Sequence, residues 1–291
     1  MKCTITGYST ALFATWYLVE ELGILFDAGD GLSAGLLHKA RKVDHVFISH
    51  ADRDHLTGLL QFNQLNAREG FPIVHYPKHC GSFGAIEQFA KKFDPHVNGT
   101  VWRPVESGSQ VPIQNDIFVE AIRNEHVRAE SGIAKSLGYK ICQTKTKLKA
   151  EFTDLPQHTI RELVAERGRA QLVDTITRNI ISYSGDTPVD DYERWTDTEI
   201  LIHEATFLDD ASEGKVNLHG NRHSTLDEVM RMVATLSIKQ LILGHFSSRY
   251  SAEEIVESIR SKCRQYHINI PVYCVLPGQL HRDILGQEPI N

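Results

Sequence analysis

The chain has 291 residues, 41% of them hydrophobic, and 31 basic against 37 acidic residues give a net charge of −6. That length suits one large α/β domain, no Pro-, Gly- or Ser-rich linker divides it, and the acidic balance excludes a global electrostatic footprint for nucleic acid, leaving room only for a local patch. Five cysteines without a C-x-x-C pair argue against a disulfide framework, and there is neither an unbroken apolar leader nor a run of about 18 apolar residues, so a cytoplasmic protein with no membrane partner is expected.

Residues 2–6, 14–20 and 24–27 read as a meander of short strands that ends in a Gly/Asp-rich turn, Asp27-Ala28-Gly29-Asp30-Gly31. A helix is expected from Gly31 to Ala40, then a buried strand from Val43 to Ser49, and a helix from Leu56 to Leu65. Between the last two lies Ser49-His50-Ala51-Asp52-Arg53-Asp54-His55, which packs two imidazoles and two carboxylates into six positions on a strand-to-helix loop. Imidazole and carboxylate are the donors of a hydrolytic transition-metal site, and carboxylates can bridge two ions. A solvated loop with Asp54 as helix cap is the simpler alternative, but four potential ligands so close together outweigh it.

Further along, strands are expected at Ile73–Tyr76, near Val101 and at Ile117–Arg123, with a helix at about Gly84–Phe93 and His126 just past the last strand. Leu137–Ile141 begins another strand, and from Lys135 to Lys149 there are five lysines (Lys135, Lys140, Lys145, Lys147, Lys149) and no acid. A run of lysines is by default a solvated face. Residues 159–176 are expected to be an amphipathic helix, followed by strands at Asn179–Ser184 and Glu199–Ile202 that run into Asp186 and into His203-Glu204. A polar loop holds His219 and His223, and Ser224 is expected to cap a helix through Leu236, with Asp227 at the capping-box position. The last unit is a strand at Gln240–Leu243, the segment Gly244–Tyr250 with His245, a helix from Ala252 to Gln265 and a strand at Pro271–Leu276. Two β-sheets with helices outside would bury these elements. His50, His55, His126, Asp186 and His245 all fall at strand ends, where a two-ion site would draw its ligands. No G-x-S-x-G elbow surrounds Ser184 or Ser224, which excludes a covalent serine mechanism.

His50-x-Asp52-x-Asp54-His55 resembles the H-x-H-x-D-H signature of the metallo-β-lactamase superfamily, with Asp52 where the second His is usual. Ser184-Gly185-Asp186-Thr187, His203-Glu204-Ala205-Thr206, His223-Ser224-Thr225, Gly244–Tyr250, Leu25–Gly29 and Leu137-Gly138-Tyr139 narrow the resemblance to its ribonuclease Z branch. The resemblance implies an α/β (α+β) four-layer αββα sandwich, a single domain over 1–291, with a short arm or insertion around 142–178. It implies two divalent metal ions: His50, Asp52, His126 and Asp186 for one; Asp54, His55, His245 and the bridging Asp186 for the other. Asp52 is a harder donor than imidazole and shifts the preference from Zn toward Mn or Fe. His223 is the implied general acid, supported by Glu204, and Asp54 could also steer the attacking water. His203 reads as structural, and the remaining nine histidines, His45, His75 and His219 among them, take no role. The implied activity is that of a binuclear phosphodiesterase processing the 3′ end of precursor tRNA, usually as a homodimer. The alternatives are hydrolysis of a small phosphodiester such as a cyclic nucleotide, or metal and nucleic-acid binding without turnover. Ribonuclease Z enzymes carry a Gly-Pro-rich arm, and this chain has no Gly-Pro pair in the corresponding interval, which leaves the lysine-rich segment and Arg161–Arg169 as the candidate arm.

Overall fold

Strand alternation sorts the apolar side chains into three layers, one between two sheets and one beneath each outer face. In the computed structural model, which describes residues 3–130, 132–209 and 222–291, the first sheet has the order β1-β2-β3-β4-β5-β6. β1 (Ile5–Thr10), β2 (Ala14–Val19) and β3 (Ile24–Phe26) pair antiparallel; α1 (Leu32–Leu36) follows. β4 (His45–Phe47), β5 (Ile73–Pro77) and β6 (Val101–Val105) then add in parallel, with α2 (Leu59–Asn66) and α3 (Ser82–Phe93) as crossovers. After β7 (Gln110–Gln114), β8 (Ile117–Arg123) and β9 (Leu137–Leu148) come two short helices, α4 (Gln157–Arg167) and α5 (Arg169–Leu172), and then β10 (Val173–Tyr183). β11 (Thr198–Glu204), α6 (Leu226–Val233), β12 (Ile238–Gly244), α7 (Ala252–Gln265) and β13 (Val272–Cys274) complete a second sheet of order β13-β12-β11-β10-β9-β8-β7.

Phe26, Phe47, Tyr139, Ile181, Tyr183, Ile202 and Ile242 fill the space between the sheets. Their neighbours in sequence point outward: Leu25, Val46 and Ile48 pack on Leu32, Leu59, Phe62 and Phe83 of the helical side, and Leu201, Leu241 and Leu243 pack on Val229, Met230, Ile255 and Ile259. The layers are therefore α, β, β, α, the mixed α/β architecture expected from the sequence. Among the described residues no helix is long and apolar enough to cross a membrane.

Three local expectations need correction. The helix expected over 159–176 stops at Leu172, and residues 173–176 open β10, which pairs with β9 from Val173↔Leu148 to Tyr183↔Tyr139. The two strands extend as a ribbon capped by α4 and α5. The edge strand β7 was not foreseen, because Pro112 and its glutamines hide the alternation; an edge strand tolerates proline since it pairs on one side only, here with β8. The helix after His223 is capped by Thr225, not Ser224, with Glu228 completing the capping box. Ser224 instead turns inward and donates to the Thr187 carbonyl. His219 lies outside the described residues.

Candidate metal centre

Parallel strands point their C-terminal ends to one edge, and the loops there carry the polar residues of the sequence motifs. Asp27 follows β3, His50–His55 follow β4, Asp186 follows β10, Glu204 ends β11 and His245 follows β12. His126 joins them from the loop after β8, because β9 starts beside that edge: the Leu137 amide donates to the Ser49 carbonyl at 2.9 Å. Gly244 lets the backbone pass against Tyr17, since a Cβ there would lie 2.0 Å from the Tyr17 hydroxyl. His245 then adopts φ +60°, a left-handed turn that directs its ring into the cluster.

Each of the four imidazoles has an acceptor or shared hydroxyl at Nδ1, which leaves Nε2 as the lone-pair nitrogen facing its neighbours. His55 Nδ1 donates to Asp27 Oδ2 at 2.8 Å, and His126 Nδ1 donates to the Arg222 carbonyl at 2.8 Å. His245 Nδ1 lies 2.9 Å from Thr206 Oγ1, whose own proton goes to Glu204 Oε2. His50 Nδ1 lies 2.9 Å from Ser49 Oγ, which donates to Asp27. Asp27 thus receives Ser49 (amide and hydroxyl), His55 and the Tyr183 hydroxyl, and its backbone is itself left-handed at φ +56°. In the sequence Asp27 stands in a turn and in a family-like segment without a role of its own; the available signal is a carboxylate placed directly at the end of the apolar run Leu25-Phe26.

Two donors each about 2.1 Å from a tetrahedral ion stand about 3.4 Å apart, and that is the spacing in this cluster. Nε2 of His126 and of His50 lie 3.4 and 3.6 Å from Asp52 Oδ2. Asp186 Oδ2 is 3.7 Å from His50, 3.3 Å from His55 and 3.3 Å from His245, while Asp54 Oδ2 is 3.3 Å from His245 and 3.6 Å from His55. Among the described residues His50 Nε2 is buried without a hydrogen-bond partner, a cost that an ion would remove. Ligand atoms of His50, Asp52 and His126, of His50, His55 and Asp186, and of Asp54, His55 and His245 lie within 4.8 Å of one another in each group.

The electrostatics also favour positive charge here. Burial disfavours a charged His55, yet the carboxylates of Asp186, Asp27 and Asp54 push it well above its ordinary range. Burial works against the Asp186 carboxylate too, and His245 and His55 overcome it and hold the group well below the usual carboxylate range. The neighbouring imidazoles of His126 and His50 hold Asp52 well below the usual carboxylate range. His50 moves the other way: burial, with His55 and His126 beside it, keeps it neutral, as a metal ligand must be.

His223 lies beside this cluster with its side chain 21% exposed. Its Nδ1 is 3.2 and 3.3 Å from the two Glu204 oxygens and 3.8 Å from Asp186. Burial disfavours the imidazolium, but the Glu204 charge and hydrogen bond outweigh it and lift the pKa to about 9. Glu204 is held in turn by the Thr187 amide at 2.6 Å and by the Thr206 hydroxyl, a role that the His203-Glu204-Ala205-Thr206 segment does not itself disclose. His203 points away, bonds the Glu204 carbonyl and packs edge-on against Trp195.

The five lysines do not gather. Lys135 precedes β9 at the site edge and Lys140 is half-buried. Lys145 and Lys147 share one face of the ribbon with Ile176 and Asp174 opposite them, and Lys149 follows the strand. Lys145 is eight residues along β9 from Leu137, about 26 Å from the site edge at 3.3 Å per residue.

Known proteins resemble this chain in both sequence and fold. The family described as "Beta-lactamase superfamily domain" matches residues 23–246. A chloroplastic tRNase Z of Arabidopsis thaliana is 29% identical over 267 residues, covering 88% of this chain and 70% of the relative. A ribonuclease Z of Haloferax volcanii is 28% identical over 286 residues, covering 87% and 86%. The crystal structure of the short form of human tRNase Z superposes with a TM-score of 0.61 at 19% identity, covering 96% of this chain and 99% of that one, which shows a shared fold.

Proposed function

The chain belongs to the beta-lactamase superfamily, in its ribonuclease Z-like branch, and from that premise we propose that it is a binuclear metal-dependent phosphodiesterase that cleaves precursor tRNA at its 3′ side. The observation that carries the catalytic part is the run of 3.3–3.7 Å separations between imidazole nitrogens and carboxylate oxygens around Asp186. His50, Asp52, His126 and Asp186 would hold one ion, and Asp54, His55, His245 and Asp186 the other. With Asp52 in place, each set offers two imidazoles and two carboxylates, so both half-sites are equally hard and the pair suits Mn or Fe better than an imidazole-rich site would. Bound there, two divalent ions would polarise a phosphoryl oxygen and offset the charge of an in-line displacement.

The chain's own residues do the rest. His223 supplies the proton for the leaving oxygen, and Glu204, bonded at its Nδ1, keeps that imidazole charged and orients the ring. Asp54, with one oxygen held by the Leu12 amide at 2.9 Å, orients the attacking water. Asp27 and Thr206 aim the rings of His55 and His245.

The names of the relatives support tRNA as substrate. One observation favours a small diester instead: from Thr144 to Thr177 the ribbon and its cap hold six basic and five acidic residues, a net of only +1. The two readings separate on one assay, in which precursor tRNA with a 3′ trailer and a cyclic nucleotide are offered in parallel with Mn or Zn. We expect cleavage at the tRNA 3′ end that falls with salt. Changing Lys145, Lys147 and Lys149 to Gln should raise KM and reduce the log–log salt slope by about 2, as for three lost phosphate contacts, while leaving the cyclic nucleotide unaffected. Efficient hydrolysis of the cyclic nucleotide with no cut in any precursor at low salt would assign the site to small diesters. Metal binding with neither activity would leave a binding protein without turnover.

A further inference from the structure

The turn between β1 and β2 exposes two large apolar side chains beside the candidate metal centre. Leu12 is 83% exposed and Phe13 61%. Other exposed apolar residues, such as Leu65, Phe89 and Phe93, belong to the outer helices. Leu12 also has φ +70°, a conformation that leucine takes only where its surroundings impose it.

The surroundings that impose it are the two loops carrying candidate ligands. The Leu12 amide donates to Asp54 Oδ2 at 2.9 Å, and the Ala11 amide donates to the carbonyl of Phe246, the residue after His245, at 3.2 Å. The Phe13 amide closes the turn onto Thr10, whose hydroxyl accepts the Gly278 amide. Behind the turn the packing is at its limit: a Cβ on Gly29 would lie 2.2 Å from the Asp54 carbonyl and 2.5 Å from the Thr15 amide. The turn is thus held by hydrogen bonds to both loops, and in that geometry both side chains stand out in water beside the site. A tight turn that needed only to connect two strands would be expected to place Gly or Asn at the left-handed position and polar groups at its tip.

We propose that Leu12 and Phe13 form an apolar platform on which a nucleobase adjoining the scissile phosphate stacks. The proposal rests on the phosphodiesterase reading and names the part of the substrate that the rim recognises. A base is joined to the reacting phosphate through a single sugar, which brings it within reach of whatever borders the site. Stacking on an aromatic ring is favourable for every base and reads no sequence, which suits an enzyme that meets variable trailers. The Leu12 amide also bonds Asp54, which ties the base platform directly to the candidate ligand shell.

The test compares metal-loaded wild-type protein with Phe13→Ala and Phe13→Trp on short single-stranded RNAs carrying one cleavable linkage. Each RNA has either intact bases or an abasic residue on one side of that linkage. Phe13→Ala should raise KM for the intact RNA roughly 5- to 150-fold, the range one stacked base contributes, with the effect in KM rather than kcat. It should leave KM unchanged for the RNA that is abasic at the stacking position, and Phe13→Trp should restore the intact substrate. Independently, 2-aminopurine at that position in an uncleavable methylphosphonate RNA should lose emission on binding wild-type protein and keep it with Phe13→Ala. An equal KM rise on intact and abasic RNA, or equal quenching by both proteins, overturns the platform. So does a switch from dimer to monomer in Phe13→Ala with KM unaltered, which would assign the pair to contact between copies of the chain. Wild-type protein that cleaves no RNA would sink the activity reading alone, since the emission assay still decides the platform.

Discussion

Two groups of buried imidazoles lie along one strand and differ in everything except the ring. His45 opens β4, with His75 beside it on β5; His50 lies three residues past the end of β4. His45 Nδ1 is 3.1 Å from His75 Nε2, the His75 ring stacks 4.4 Å from Phe47, and His75 Nδ1 has no hydrogen-bond partner among the described residues. Burial, then His45 and Arg103, push His75 down to about 3, and burial likewise lowers His45. These rings behave as neutral, aromatic filling between sheets. Around His50 the same ring type meets Asp52, Asp54, Asp186 and Asp27 at the strand ends, where the backbone leaves the sheet and polar groups can converge. Carboxylates at a strand end, and not histidine itself, separate a chemical site from core packing.

The comparison is sharpened first at His223, the imidazole that faces a carboxylate yet stays partly open. His223→Ala should lower turnover of an unactivated phosphodiester by roughly a hundred- to ten-thousand-fold while metal content stays at the wild-type level. With a nitrophenolate leaving group, which needs no proton, the loss should shrink. Equal losses on the two esters would take the general-acid role away from His223.

A smaller effect tests the other group. The folded His75 pKa lies below the ordinary value of 6.5, so as pH falls through 6.5 the unfolded chain takes up a proton that the folded chain refuses. Stability should therefore be full above about pH 7 and decline from pH 6.5 toward 3; at pH 5 one such group costs about 2 kcal/mol. Urea unfolding at pH 7 and pH 5 should show His75→Leu losing less stability on acidification than wild type by that order. Metal-ligand protonation is common to both proteins and drops out of the difference. Parallel losses would mean that His75 titrates normally in the fold.

Much of this was legible because motif residues at strand ends are forced into proximity once the sheets form. His50, His55, His126, Asp186 and His245 were found that way, and the structure brings their side chains together with Asp52, Asp54, His223 and Glu204. Residues that act through others were harder to read. Asp27 looks like a turn former until Ser49, His55 and Tyr183 are seen to donate to it. Within 142–178, where a short arm or insertion is expected, the strand pairing was hard to read for a different reason: Thr144-Lys145-Thr146-Lys147 alternates without an apolar face, and it is a strand only because residues 174–177 pair with it. The cap at Thr225 was misplaced by one residue because Ser224 is an equally good cap by type, and only its bond to the Thr187 carbonyl removes it.

The central claim is that two ions share Asp186, and counting metal per chain tests it most directly. Elemental analysis of protein reconstituted with Mn or Zn should give two ions in wild type, and Asp186→Ala should lose both, since its carboxylate lies 3.3–3.7 Å from His50, His55 and His245 alike. A wild-type count that never exceeds one, or an Asp186→Ala protein that keeps both ions, would contradict the account.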